Sequence, residues 1–220
     1  MEPRIVYLDE QIAIVSKPSG TFVHPSTEVR NKERTIMSWL RDRLDQRVYP
    51  VHRIDRACSG LISMARDSES ARKLQSALQS SHARKEYLAF SRGVAEPSFR
   101  SDSPLKVGPR KEPRASTTHF QRLFSHQGFS LIKARLETGR RHQIRRHLAG
   151  LGHQIIGDTT YGKGKINRFL SEEHGLPRMF LHCARLGFEQ PGGGERVEVR
   201  APLAEDLRAF LLNLPGCPSQ

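Results

Sequence analysis

Apolar residues recur along this chain at two spacings, and each change of spacing marks a new element. Near the N-terminus, IVYL (5–8) and IAIV (12–15) are short β-prone runs split by Asp9, Glu10 and Gln11, which predicts a hairpin. KPSG (17–20) reads as a turn, with Pro18 presetting φ and Gly20 supplying a positive one. From Thr35 to Leu44, Ile36, Leu40 and Leu44 recur at every fourth position, so a helix is expected with Trp39 beside its stripe. LISMA (61–65) is strand-like. Residues 67–82 form a second helical pattern, capped by Asp67 or Ser68, with Ala71, Leu74 and Leu78 on one face.

The later half is read in the same way. KEYLAFSRG (85–93) is a strand ending in glycine, and residues 96–115, with Pro97, Pro104, Pro109 and Pro113, are expected to be a long surface loop. STTHFQRL (116–123) and FSLIKARL (129–136) form a hairpin around 125–128. Residues 137–153 begin as a turn and become a helix, with Thr138 as candidate cap and Ile144, Leu148 and Leu151 apolar. A loop over 157–178, strands at 178–188 and 195–201 joined by a turn at 191–194, and a helix over 203–214 complete the chain. Strands in hairpins mixed with a few helices place the fold in the α+β class, with a mixed, mainly antiparallel sheet.

Charge changes this picture more than size does. A chain of 220 residues fits one domain, or one domain with two lobes. It carries 36 Lys and Arg against 23 Asp and Glu, a net charge of +13, and nucleic acid is the polyanion such a balance suits. Cys58, Cys183 and Cys217 form no C-x-x-C pair, and three is an odd number, so a reducing cytoplasmic setting is expected rather than a disulfide framework. No apolar run approaches the length of a membrane span, and the N-terminus has no signal-peptide core.

Candidate chemistry gathers in three places. Asp55 stands between Arg53 and Arg56 in VHRIDRACSG (51–60); a carboxylate among cations stays ionised and can act as nucleophile or base, although a lone turn aspartate more often ties its own backbone. In LETGRRHQIRRH (136–147), Arg140, Arg141, Arg145 and Arg146 crowd with His142 and His147. Arg141 and Arg145, four apart on a helix, would share a face and could meet phosphate, where the plainer reading is a solvated basic surface. Tyr87, in KEYLAF, is either a half-buried strand aromatic or a platform for a base. His142 and His147, five apart, lack the spacing of a zinc pair, and GKGK (162–165) lacks that of a phosphate loop, so no metal is expected.

Together these residues resemble the RluA-type pseudouridine synthases. HRIDRACSGL (52–61) is similar to the family hallmark, with Cys58 where threonine is usual. Four further blocks follow the family order: 9–25, KEYLAF (85–90), 136–158 and LHCARLGF (181–188). Within the family, residues 157–182 are most similar to the subgroup acting on tRNA at uridine 65. The resemblance implies a single catalytic domain spanning residues 1–220, with an active cleft between two lobes and without the N-terminal S4 domain that some members carry. It implies isomerisation of uridine to pseudouridine in RNA, with no cofactor and no metal.

By the same resemblance Asp55 is the catalytic carboxylate, attacking C1′ or assisting proton removal from C2′. Arg145 pairs with it, and Tyr87 stacks on the flipped uracil. Arg53 fills the gap the base leaves, and His52 orients the turn. Arg140, Arg141, His142 and Gln143 are the remaining candidates for binding substrate. The expected partner is RNA, with tRNA ahead of rRNA; the protein is expected to be a monomer without a membrane partner. A non-catalytic RNA-binding module is the rival from a different class, and it has little use for an anion in a basic groove. A metal-dependent nuclease, a further rival, would need clustered carboxylates that the chain lacks.

Overall fold

The computed structural model describes residues 2–25, 34–108, 112–191 and 195–214. In chain order the first elements are β1 (Arg4–Leu8), β2 (Ile12–Lys17), α1 (Ile36–Leu44), β3 (Tyr49–Pro50), β4 (Ser59–Ala65) and α2 (Ser68–Gln79). β5 (Arg84–Arg92), β6 (Ser98–Ser101), β7 (Leu105–Val107), β8 (Glu112–Arg114), β9 (Thr118–His126) and β10 (Phe129–Leu136) follow. The last are α3 (Gln143–Gly150), α4 (Gly164–His174), β11 (Leu181–Glu189), β12 (Arg196–Arg200) and α5 (Glu205–Leu212). The fold is α+β, with largely antiparallel strands. The chain divides into two compact units, one from the N-terminus to Lys85 with Cys183–Pro202, the other Glu86–His182 with the chain from Leu203.

In the first unit β1 pairs with β2, β2 and β3 with β4, and β11 with β12, all antiparallel. β2 and β4 are buried along almost their whole length, which fits strands covered on both faces. Ile12, Ile14, Leu61 and Ile62 are completely buried, as are Ile36 and Leu40 of α1 and Leu74 of α2. Both helices start where the sequence placed them. Thr35 and Ser38 form a reciprocal capping box, and the Asp67 side chain accepts from the Ser70 amide at 2.8 Å.

In the second unit β10 pairs with β5 and β9, β9 pairs with β6, and β7 and β8 form a separate ribbon. Its core is aromatic: Phe90 packs against Phe124, Phe129, Phe180 and Phe210, with centroids 5.6–6.4 Å apart. α4 enters this core through Leu170, and α5 enters it through Leu207 and Phe210.

Three expectations need correction. Residues 96–115 are not a plain loop. Phe99 stacks on Phe120 at 4.8 Å and recruits β6 to β9, while Pro113 is tolerated because β8 lies in a two-stranded ribbon with a free edge. Residues 157–178 contain α4, closed by Gly175 in the left-handed region. Thr138 does not cap α3. The N-cap is His142, with a φ of 55°, so Arg141 lies outside the helix and does not share a helical face with Arg145. The turn expected at 191–194 falls mostly, and Cys217 and Pro109 entirely, outside the described residues.

Gly60 is the tightest point of the first unit. It has a φ of 106°, and a Cβ there would overlap the Cys183 backbone on β11, the strand beside β4. Gly60→Ala is therefore expected to destabilise the protein by about 3 kcal/mol or more, read as a lowered urea midpoint with an unchanged m-value.

Candidate active site

The turn that carries Asp55 is built from alternating anchors. Ile54 and Cys58 are buried, Arg53 and Arg56 are exposed, and the Asp55 residue is half-buried between them. The Cys58 amide donates to the Asp55 carbonyl at 3.0 Å and closes the turn.

Lys17 staples this turn to the one at 17–21. The residue is 1% exposed, and its Nζ donates to the carbonyls of Pro18 (2.8 Å), Thr21 (2.9 Å) and Arg56 (3.1 Å). The Gly20 amide donates to the same Arg56 carbonyl at 2.8 Å, and Ser19 Oγ donates to the Ala57 carbonyl at 2.8 Å. Arg56 returns the contact, with Nε donating to the Gly20 carbonyl at 2.8 Å and its guanidinium 4.5 Å from the centroid of Phe22. Arg53 reaches His24, Nη1 to Nε2 at 3.3 Å. Burial, and then the Arg53 charge, lower the His24 pKa, so its neutral ring can accept that bond. Both arginines flanking Asp55 thus reach into the 20–24 segment.

His52 leads into the turn, and its amide donates to the Ser63 carbonyl at 3.2 Å. Burial first, and the Lys85 charge second, push its pKa down to about 3, so its ring is neutral at ordinary pH. Lys85 is itself 7% exposed, and its Nζ donates to the Leu78 carbonyl at 2.9 Å.

The second unit holds the other candidates. Tyr87 lies on β5 opposite Ala134 and is 5% exposed. Arg145, on α3, is 7% exposed, and its Nε and Nη2 donate to the two oxygens of Asp158 at 2.7 and 2.9 Å. The Asp158 side chain is fully buried and also accepts from the amides of Thr160 (2.8 Å) and Tyr161 (3.1 Å). Burial alone would raise its pKa; the Arg145 bonds and the two amides outweigh burial and hold it below the usual carboxylate value. Tyr161 covers the guanidinium, with its ring centroid 5.1 Å from Cζ, and its hydroxyl is 3.2 Å from His142 Nδ1. The carboxylate that meets Arg145 within its own unit is therefore Asp158.

Gln143 spends its amide inside the protein. Its oxygen accepts from Thr138 Oγ1 and the Arg140 amide, and its nitrogen donates to the Thr117 carbonyl and Thr118 Oγ1, all at 2.8–2.9 Å. Those four bonds fill its hydrogen-bonding capacity. Arg140 and Arg141 are exposed, and Arg140 Nε donates to the Ala115 carbonyl at 3.2 Å.

Sequence reasoning passed over Lys17, Asp158 and Tyr161. The run GDTTYG (157–162) did carry a signal, since an aspartate two and three residues before backbone amides is the pattern of an Asx turn. Among the described residues no group of three or more His, Cys, Asp or Glu is placed to hold a metal ion, and no helix is long and apolar enough to cross a membrane.

This geometry sits in a chain whose relatives are known. Residues 11–150 match the model of the RNA pseudouridylate synthase family. Over 218 residues the chain is 35% identical to the tRNA pseudouridine synthase C of Vibrio vulnificus, covering 90% of this chain and 89% of that one. The Haemophilus ducreyi protein of the same name is 35% identical over 223 residues, covering 92% of each chain. The solved structure of human RNA pseudouridylate synthase domain containing 4 superposes with a TM-score of 0.77 at 21% identity, covering 96% of this chain and 92% of that one. The chain belongs to the RNA pseudouridylate synthase family, whose enzymes are isomerases.

Removing the charge of Asp158 leaves the Arg145 guanidinium without its buried counterion. Asp158→Asn is expected to cost about 3 kcal/mol, while Tyr161→Phe, which keeps the ring, costs less than about 1 kcal/mol in the same urea titration. His52 sets a pH dependence. Its folded pKa lies below its unfolded one, so below about pH 6.5 the unfolded chain binds the extra proton and stability falls with pH. The slope from this group approaches about 1.4 kcal/mol per pH unit. His24 and His147 are shifted in the same direction, so His52→Asn should reduce the slope between pH 6.5 and 5 by about one proton without abolishing it.

Proposed function

We propose that this enzyme converts one uridine of tRNA, uridine 65, to pseudouridine, with Asp55 as the catalytic carboxylate. The observation that carries the reading is the stapled turn. The family's HRIDRACSGL block folds so that Lys17 and Gly20 fix the chain one residue beyond Asp55. A carboxylate set on a rigid turn is preorganised for a reacting centre. The choice of tRNA is supported by the names of relatives that match nearly the whole chain.

The atoms of the reaction balance without a further reactant. The N1–C1′ bond breaks, the uracil turns over, C5 bonds to C1′, C5 loses its proton, and N1 ends protonated. Asp55 acts at the ribose, at C1′ as nucleophile or at C2′ as base. Tyr87 stacks on the extruded uracil and serves proton removal from C5, and Arg145 provides the cation that the carboxylate chemistry needs. Arg53, exposed beside Asp55, fills the stack the uridine leaves. Arg140, Arg141 and His142 meet the RNA backbone, and Gln143 holds their turn in shape.

Asp55→Asn is expected to lower product formation by about 10³-fold or more while RNA binding survives, measured as tritium release from C5-labelled transcripts. Tritium release at the parent rate would remove Asp55 from the chemistry. Mapping pseudouridine in total RNA with and without the gene identifies the target, and a lost modification in rRNA rather than tRNA would overturn the substrate.

A further inference from the structure

α4 has a charge order that does nothing for the helix. Lys163 is its N-cap, Lys165 and Arg168 lie in its N-terminal half, its first turn has no acidic residue, and Glu172 and Glu173 stand toward its C-terminal end. The helix dipole favours the opposite order, acids first and bases last. The inner face is ordinary by comparison: Leu170 is buried in the aromatic core and Ile166 packs against it.

The outer face is built differently. Lys163, Lys165 and Arg168 are all exposed, and among the described residues none of them has an ion-pair partner. Phe169 stands among them, 53% exposed, with its ring edge-on to His174 at 5.6 Å. More than half of this large aromatic side chain is in water, beside cations that have no ion-pair partner among the described residues. The combination suits single-stranded or looped RNA, where cations take phosphates and a ring takes a base or ribose face.

We propose that Lys163 at the N-cap of α4, with Lys165, Arg168 and Phe169 on its exposed face, forms an RNA-docking surface for the substrate. The proposal rests on RNA being the substrate, and it adds where recognition of the folded RNA takes place. Asn167, on the inner side of the same helix, accepts from the Gly157 amide at 2.8 Å and donates to the Asp158 carbonyl at 3.0 Å. The helix is therefore bolted to the segment that clamps Arg145, and binding energy gained on its outer face can hold that segment in place.

The experiment uses the full chain and an unmodified tRNA transcript. Binding is measured over a range of KCl for the parent, for Lys163→Ala/Lys165→Ala/Arg168→Ala, for Phe169→Ala, and for a charge-matched control, Arg43→Ala/Arg72→Ala/Arg208→Ala. All the substituted side chains are exposed, and thermal melting checks that each variant is folded. The α4 triple variant should raise Kd about tenfold or more and reduce the slope of log K against log salt by about two to three, while the control keeps the parent slope. Phe169→Ala should raise Kd about fivefold or more and leave the slope unchanged.

Equal Kd and slope for the α4 triple variant and the control would overturn the proposal, and so would a parent that does not bind the transcript. Because binding is read without reference to product, a parent that binds tRNA but forms no pseudouridine in it would sink the proposed activity while the α4 result stands.

Discussion

One buried ammonium fixes the part of the chain that matters most. An unpaired charge removed from water is too costly for a folded protein to keep, so Lys17 can stay inside only while its three N–H groups meet acceptors. Those acceptors are the carbonyls of Pro18, Thr21 and Arg56. Each is a point on the backbone, and a shift in any one of them leaves a buried donor unsatisfied. The charge therefore acts as a constraint on two turns at once. Asp55 precedes Arg56 by one peptide unit and inherits the constraint.

The second unit solves the same problem with the signs reversed. Asp158 is buried, and burial alone would raise the pKa of its carboxyl. Four donors, two from Arg145 and two from backbone amides, make the anion the favoured form. In return the carboxylate fixes the guanidinium of Arg145 in a single plane, and the Tyr161 ring covers one face of it. Gln143 extends the device by one step, closing the turn before α3 with a saturated amide. In both units a polar group is made tolerable inside the protein by contacts that also fix backbone geometry, which is how a rigid site is obtained from loops.

What could be read from the sequence follows the same physical division. Elements set by local pattern were legible: α1 and α2 with their caps, the β1–β2 and β9–β10 hairpins, and the ordered blocks that mark the family. Elements set by distant partners were not. β6 exists because Phe99 finds Phe120, and the prolines around it argued locally for a loop. α4 has only Ile166 and Leu170 to show as a stripe, and its worth depends on the aromatic core it joins. Lys17 looked like an ordinary turn residue, because burial of an ammonium is invisible in a sequence. Asp158 was missed for a related reason: its partner is thirteen residues back on another element.

The net charge of +13 also divides in two once the structure is known. Lys17, Lys85 and Arg145 are buried, and the bonds they donate go to carbonyls or a carboxylate of the protein itself. Arg178 is bound on both sides of its fork to Asp206, at 2.6 and 2.9 Å. These cations shape the fold and release no counterions when RNA arrives. The cations available to a polyanion are those that remain in water, such as Arg53, Arg140, Arg141 and the outer face of α4. Only this second group enters the salt dependence of binding, so a sequence count of positive charge overstates the electrostatic footprint on RNA. It follows that the buried cations serve rigidity, whereas Arg53 and Arg56, exposed and yet bonded to the 20–24 segment, couple the rigidity of the Asp55 turn to the charge that meets RNA.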